Sequence, residues 1–251
     1  MNIAWDAGKY TKDFSFVHQY GSAVAELLDC GQGSTVVDLG CGNGALTNQL
    51  KNKGFRVIGI DASPDFLEAA KRSYPEINFI QADATSFSVE EPVDAVFSNA
   101  VFHWIDKDKQ ALMLACVYKA LKSGGQFVFE LGGHGNNALI HRELARIFAE
   151  YGYHYKMPFY FPTIGEYASM LEQAGFKVSY AVLFDRPTEL KGENGLKDWI
   201  DMFVKTPFED VADSKDREDI KDMAAAALKP ALYKDGKWYA DYVRLRMKAY
   251  K

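Results

Sequence analysis

At 251 residues the chain fits one α/β domain with an insertion, long enough to bury a sizeable core. Its 48% hydrophobic and 25% charged residues exclude a collagenous, disordered or low-complexity protein. The net charge of −5 argues against a nucleic acid held by bulk electrostatics, and three dispersed cysteines, Cys30, Cys41 and Cys116, give neither a disulfide framework nor a zinc site.

No segment approaches about 18 apolar residues, and no basic-then-apolar leader opens the chain, so no membrane partner and a cytoplasmic, reduced setting are expected. Residues 1–16 carry Trp5, Tyr10, Phe14 and Phe16 among polar residues. They either pack on the domain or form a flap over a ligand. A helix is predicted over 17–28, with Val17, Val24, Leu27 and Leu28 as its apolar stripe and His18 near its start.

Thr35-Val36-Val37-Asp38-Leu39 reads as a buried strand. It breaks into Gly40, Gly42 and Gly44, and Leu46, Thr47 and Leu50 resume at helical spacing. Strand, glycine turn and helix open a nucleotide-binding α/β sheet. Two readings fit. Gly40-x-Gly42-x-x-Ala45 satisfies a relaxed dinucleotide fingerprint. Asp38-x-Gly40-x-Gly42-x-Gly44 is tighter, and an acid there repels a pyrophosphate but suits a ligand carrying an ammonium and a sulfonium. Cys41 reads as a small residue that fits the turn.

The second strand, 55–61, ends in Asp61, 21 residues after Gly40. That matches the spacing of about 20 for an acid that grips ribose hydroxyls. Ser63 and Pro64 start a helix as N-cap and first residue. Strand three, 77–81, leads into Ala82-Asp83-Ala84. Strand four, 93–98, runs into Asn99-Ala100-Val101-Phe102-His103-Trp104. A helix over 107–122 closes at Gly124-Gly125, strand five spans 126–131, and a loop with His134 precedes a helix over 137–151. This alternation predicts a parallel sheet with right-handed crossovers and helices on both faces. The last third differs. A helix over 164–174, a strand over 176–184, helices over 196–204 and 214–228 and a strand near 238–247 predict an antiparallel ending around an insertion.

Taken together, these motifs resemble the class I S-adenosylmethionine-dependent methyltransferases. The resemblance rests on Asp38-x-Gly40-x-Gly42-x-Gly44, Asp61, Gln81-Ala82-Asp83-Ala84, Ser98-Asn99-Ala100-x-x-His103-Trp104 and Leu121-Lys122-x-Gly124-Gly125. Within that superfamily the chain is most similar to the trans-aconitate methyltransferase type, through Trp5, Tyr10, the 99–104 segment and the placing of the insertion. The resemblance implies a Rossmann-like, seven-stranded, mostly parallel sheet with an antiparallel last strand and a helical insertion before it. One domain is expected: lid and helix over 1–33, cofactor-binding core over 34–184, insertion over 185–236 and final strand over 237–251.

The resemblance further implies S-adenosylmethionine as cofactor, leaving as S-adenosylhomocysteine. Backbone at Gly40, Cys41, Gly42 and Gly44 would face its methionine part, and Asp38 its amino group. Asp61, with Ala62 beside it, would take the ribose hydroxyls, and Asp83 with Ala84 would read the adenine. Asn99 and Ala100 would run past the sulfonium, and Tyr10 would cover the cofactor. Trp5, His18, Phe102, Trp104, His134 and Trp199 would face a small-molecule acceptor, probed at an oxygen first. His103 is the candidate base, or else a packed histidine beside Trp104. Arg186 and Lys205 are candidate cations for an anionic acceptor. The five histidines are scattered, so no metal is expected. A nicotinamide-dependent oxidoreductase and a non-catalytic cofactor-binding module remain the alternatives.

Overall fold

Val36, Val37 and Leu39 have no amphipathic alternation, and strand β1 (Thr35–Leu39) is accordingly buried on both faces. The computed structural model describes residues 16–251, with side chains from residue 20 onward. Trp5, Tyr10 and the His18 side chain lie outside the described residues.

Around β1 stand β2 (Arg56–Asp61), β3 (Asn78–Gln81), β4 (Val93–Asn99) and β5 (Leu121–Gly132). β6 (Lys177–Leu190), β7 (Tyr233–Lys234) and β8 (Lys237–Tyr250) complete the described strands. The order is β3-β2-β1-β4-β5-β8-β6, with the short β7 on β8. β1 to β5 pair in parallel, and β8 runs antiparallel between β5 and β6. The expected mostly parallel sheet with an antiparallel ending is therefore present. Strand order reverses between β1 and β4, which opens a crevice at their carboxyl ends.

Two helical layers cover the sheet. Val37, Leu39, Val96, Phe127 and Phe129 pack against Met113, Leu114 and Val117 of α4 (Gln110–Ala120) and Tyr167 and Leu171 of α6 (Ile164–Gln173). On the opposite face Val36, Ala95, Phe97 and Val128 meet Val24 and Ala25 of α1 (Phe16–Ala25) and Leu46 and Leu50 of α2 (Ala45–Asn52). Each fully buried Phe or Leu contributes about 1.5–3 kcal/mol. Between β2 and β3, α3 (Pro64–Ser73) begins as its sequence predicts: Ser63 Oγ accepts from Phe66 N at 3.4 Å, and Pro64 takes the first turn.

Several boundaries differ from expectation. α4 starts at Gln110, after a 3₁₀ turn over Lys107–Lys109, and stops at Ala120, because Leu121 already pairs with Val93. β6 passes Pro187 and ends at Leu190 rather than near residue 184. It is an edge strand, where a missing N–H costs no ladder bond. Helices α7 (Gly195–Phe203), α8 (Lys205–Glu209) and α9 (Ser214–Leu232) then fill the space before β8. They bury Trp199, Ile200, Ile220, Ala224 and Leu228 against Ile140, Leu144, Ile147 and Phe148 of α5 (Ala138–Glu150), a second core beside the sheet. Asp235 (φ 50°) and Gly236 (φ 77°) form a two-residue turn between β7 and β8.

β8 has two chemistries. Leu245, Met247 and Ala249 join the main core, while Arg244, Arg246 and Lys248 point to the α1 face. There Glu130 takes Arg246 Nη2 at 2.7 Å and Arg186 Nη1 at 2.5 Å. Lys248 Nζ reaches Leu27 O at 2.8 Å and Asp29 at 2.7 Å, which ties the chain after α1 to the sheet. No helix among the described residues is long and apolar enough to cross a membrane.

Candidate active site

The turn after β1 is built by backbone. Gly40 N and Cys41 N both donate to Ile60 O, at 2.7 and 3.0 Å, which locks the turn to β2. Gly40 adopts φ 80°, and a Cβ there would lie 2.2 Å from Val101 Cγ2. Gly42 (φ 54°) has nothing among the described residues within 4 Å of a Cβ position, and it lines a cavity. Gly44 caps α2 and packs toward Phe79 and Ala70, away from that cavity.

Three acids surround the turn. Asp38 is 2% exposed and accepts a 2.6 Å bond from Thr47 Oγ1. Burial pushes its carboxyl up to about 7, against the pull of Thr47. Asp61 receives Gly42 N at Oδ2 and Ser63 N at Oδ1, each at 2.8 Å. Burial raises its pKa, and those backbone donors oppose the rise. Asp83 is exposed, and Thr85 Oγ1 and N donate to its Oδ1 at 2.6 and 2.8 Å, holding its carboxyl below the usual range. Cys41 is buried, and desolvation, then the Asp38 and Asp61 charges, drive its thiol far upward, so no thiolate nucleophile forms there.

These groups line one cavity of about 310 Å³, with Asp38, Gly40, Cys41, Gly42, Asp61, Ala62, Asp83, Ala84, Asn99, Ala100 and Trp104 on its wall. That volume is in the range of small-molecule sites. Asn43, Phe66, Val101, Ile105, Asp106 and Lys109 complete much of the lining without any motif that marks them. Ala100 sits at φ 61° with its N–H on Glu130 O at 2.8 Å, a left-handed alanine held by the β4–β5 ladder. A site walled by four carboxylates, Asp38, Asp61, Asp83 and Asp106, and by peptide N–H groups suits a ligand with cationic sulfonium and ammonium groups and ribose hydroxyls. It does not suit a pyrophosphate.

Behind Trp104 the packing is aromatic. Trp104 meets Phe159 at 4.6 Å and Phe203 at 6.3 Å between ring centroids. Phe159 stacks on Phe161 at 5.2 Å. His103, 7% exposed, and His141 each lie within 5.4–6.0 Å of both of these rings. Gly132 N donates to His103 Nδ1 at 3.2 Å. Burial, and then the Arg244 charge, hold the His103 imidazole well below its usual 6.5. His141 Nδ1 meets Tyr155 Oη at 2.6 Å, its Nε2 is buried without a partner among the described residues, and burial lowers its pKa to about 4.

Three expected acceptor-facing residues sit elsewhere. Phe102 is fully buried between Phe127 and Phe129, at 5.8 and 5.6 Å. The 3₁₀ turn over Phe102–Trp104 rotates it into the main core. Trp199 is 1% exposed and donates Nε1 to Tyr242 Oη at 2.7 Å, behind His141 in the second core. His134 is exposed on its loop. Phe159 and Phe161 pack behind Trp104, and the one sequence signal for them is the aromatic density of residues 153–161.

Comparisons with known proteins agree with this geometry. A family described as "Methyltransferase domain" matches residues 36–125, from β1 to the Gly124-Gly125 turn. The chain is 32% identical, over 98% of both chains, to an uncharacterized methyltransferase of Schizosaccharomyces pombe. It is 28% identical, over 90% of both, to a trans-aconitate 2-methyltransferase of Methylobacterium nodulans. Among solved structures, an S-adenosylmethionine-dependent methyltransferase from Mesorhizobium loti superposes with a TM-score of 0.55 at 19% identity, covering 92% of this chain and 96% of that one. With its glycine turn, its strand-end acids and its antiparallel ending, the chain belongs to the class I S-adenosylmethionine-dependent methyltransferases.

Proposed function

We propose that the enzyme methylates an oxygen, a carboxylate ahead of a hydroxyl, on a small organic acceptor. The observation that carries this reading is the cavity of about 310 Å³, with Trp104 on its wall and Phe159 and Phe203 packed against that ring, the size of a small-molecule site, where a folded protein or an RNA would need an open face. When bound, S-adenosylmethionine supplies a methyl group already activated on a sulfonium, whose sulfur keeps the electron pair of the broken C–S bond. The protein's part is then mainly to align the acceptor and exclude water.

In this reading the Gly40–Gly42 backbone cradles the methionine part and Asp38 receives its ammonium. Asp61 keeps its two backbone donors and has lone pairs to spare for the ribose hydroxyls. Asp83 and the Ala84 N–H take the adenine edge, and Asn99 and Ala100 flank the sulfonium. Trp104 and His103 border the acceptor.

Asp38 makes the reading pH-sensitive. Without ligand its carboxyl sits at about 7. An ammonium beside it favours the carboxylate and draws that pKa down, so binding releases a proton below pH about 7. Affinity for S-adenosylhomocysteine should therefore rise with pH up to neutrality, by at most about tenfold per unit, and then level off. Calorimetric titrations in two buffers of different ionisation heat check the proton release. Affinity that falls toward neutrality would remove Asp38 from this role.

The acceptor class is tested with labelled S-adenosylmethionine against panels of small carboxylic acids, phenols, alcohols and amines, beside tRNA and protein. Label should enter small acids as base-labile ester. Turnover on tRNA or protein, with none on small molecules, refutes the reading.

A further inference from the structure

Gly21 stands inside helix α1, where glycine costs a helix stability relative to alanine. Close approach accounts for it. A Cβ at residue 21 would lie 2.4 Å from Leu46 Cδ2 and 3.2 Å from Asn99 Nδ2. Leu46 and Asn99 both line the cofactor cavity. Helix α1 therefore backs that wall, and whatever holds α1 sets where these two side chains stand. Resting on the reading that Asn99 flanks the sulfonium, we propose that Glu130 is the positioning residue for Asn99, fixing its backbone through the sheet and its side chain through α1.

Glu130 reaches Asn99 by two routes. The two residues are partners in the β4–β5 ladder, and Glu130 O accepts from Ala100 N at 2.8 Å, which holds the chain as it leaves β4. Side chains alternate along β5: Phe129 and Leu131 enter the main core, so Val128 and Glu130 face α1. There the buried carboxylate takes two guanidinium forks. Arg186 donates Nη1 and Nη2 at 2.5 and 3.0 Å, and Arg246 donates Nε and Nη2 at 2.9 and 2.7 Å. Each arginine passes the hold on to α1. The Arg186 guanidinium lies 4.4 Å from the Tyr20 ring centroid, and Arg246 Nη1 donates to Ala23 O at 3.4 Å. Tyr20 and Ala23 bracket Gly21, the residue that meets Asn99.

The charge balance concentrates this hold on Glu130. One carboxylate faces two guanidiniums. The remaining positive charge is met by the ring faces of Tyr20 and Phe184 and by the Ala23 carbonyl. A buried guanidinium that loses its carboxylate is strongly destabilised where it stands. Glu130→Gln keeps the backbone bond to Ala100 and nearly the same side-chain shape, but it leaves two like charges side by side. They separate only by giving up their contacts with α1. The far end of that helix has its own tie, Lys248 Nζ on Leu27 O at 2.8 Å, and neither of those residues lines the cavity.

The test compares full-length variants by calorimetry with S-adenosylhomocysteine, by urea denaturation and by the Asn99 side-chain amide signal in ¹⁵N-edited NMR. Asn99→Ala should weaken binding, which checks the placement of Asn99 itself. Glu130→Gln should weaken binding by about 10- to 100-fold, the scale of a misplacement of about 1 Å, and should move the Asn99 signal. Lys248→Met should lower the urea midpoint and leave both affinity and that signal unchanged. Gly21→Ala keeps every charge, and its Cβ displaces Leu46 and Asn99 directly, so it should move the same signal and weaken binding even if Glu130→Gln fails to fold. Equal affinity losses in Glu130→Gln and Lys248→Met would overturn the positioning role. So would wild-type affinity and an unmoved Asn99 signal in Glu130→Gln or in Gly21→Ala. Unchanged affinity in Asn99→Ala would instead overturn the placement of Asn99 beside the sulfonium, and the proposal with it.

Discussion

Gly40→Ala should destabilise the protein by about 2–5 kcal/mol, the sum of a left-handed alanine at about 1–2 and an overpacked contact at about 1–3. The contact is specific. A Cβ at residue 40 meets Val101 Cγ2 at 2.2 Å and Cγ1 at 2.7 Å, and Val101 itself lines the cavity. Relief requires moving either the β1 turn, which Ile60 O holds by two bonds, or the chain after β4. Both movements deform the cofactor site, so affinity for S-adenosylhomocysteine should fall together with the urea midpoint. Gly42→Ala is the control. It faces open space, so its stability cost stays near the conformational one while its Cβ intrudes on the ligand. Equal stability losses for the two variants would contradict the packing argument.

Asp61→Ala should weaken cofactor binding by about 1.5–3 kcal/mol, roughly 10- to 150-fold, the scale of hydrogen bonds to a charged group. It should also lower stability, because Asp61 holds Gly42 N and Ser63 N in the absence of ligand. The glycine turn and the start of α3 lose their common anchor together. Asp61→Asn keeps an acceptor for one of the two and should recover part of the stability but little of the affinity. Calorimetry with S-adenosylhomocysteine and denaturation of the same variants separate the two losses. Unchanged affinity in Asp61→Ala would remove it from the site.

The parallel half of the sheet was legible because β1 and β4 are apolar runs buried on both faces and the strand ends are marked by glycines and acids. Thr35–Leu39, Asp61 at 21 residues from Gly40 and the acid after β3 all fall where the sequence places them. The acceptor side was not. Phe102 and Trp104 are two residues apart, and a 3₁₀ turn, not strand alternation, decides that one enters the core and the other the cavity. Arg244 and Arg246 look like the solvent side of an amphipathic strand, yet α1 and the second core cover that face. The sequence ends this strand near residue 184, and the edge position of β6 lets it run on through Pro187 to Leu190. The packing of Phe159 and Phe161 behind Trp104 comes from a segment with no regular period.

The most direct measurement is a calorimetric titration of the wild-type protein with S-adenosylhomocysteine and, separately, with NAD. A cavity walled by Asp38, Asp61 and Asp83 should bind S-adenosylhomocysteine at one site per chain and leave NAD, with its pyrophosphate, unbound. Saturable binding of NAD with none of S-adenosylhomocysteine would contradict the account.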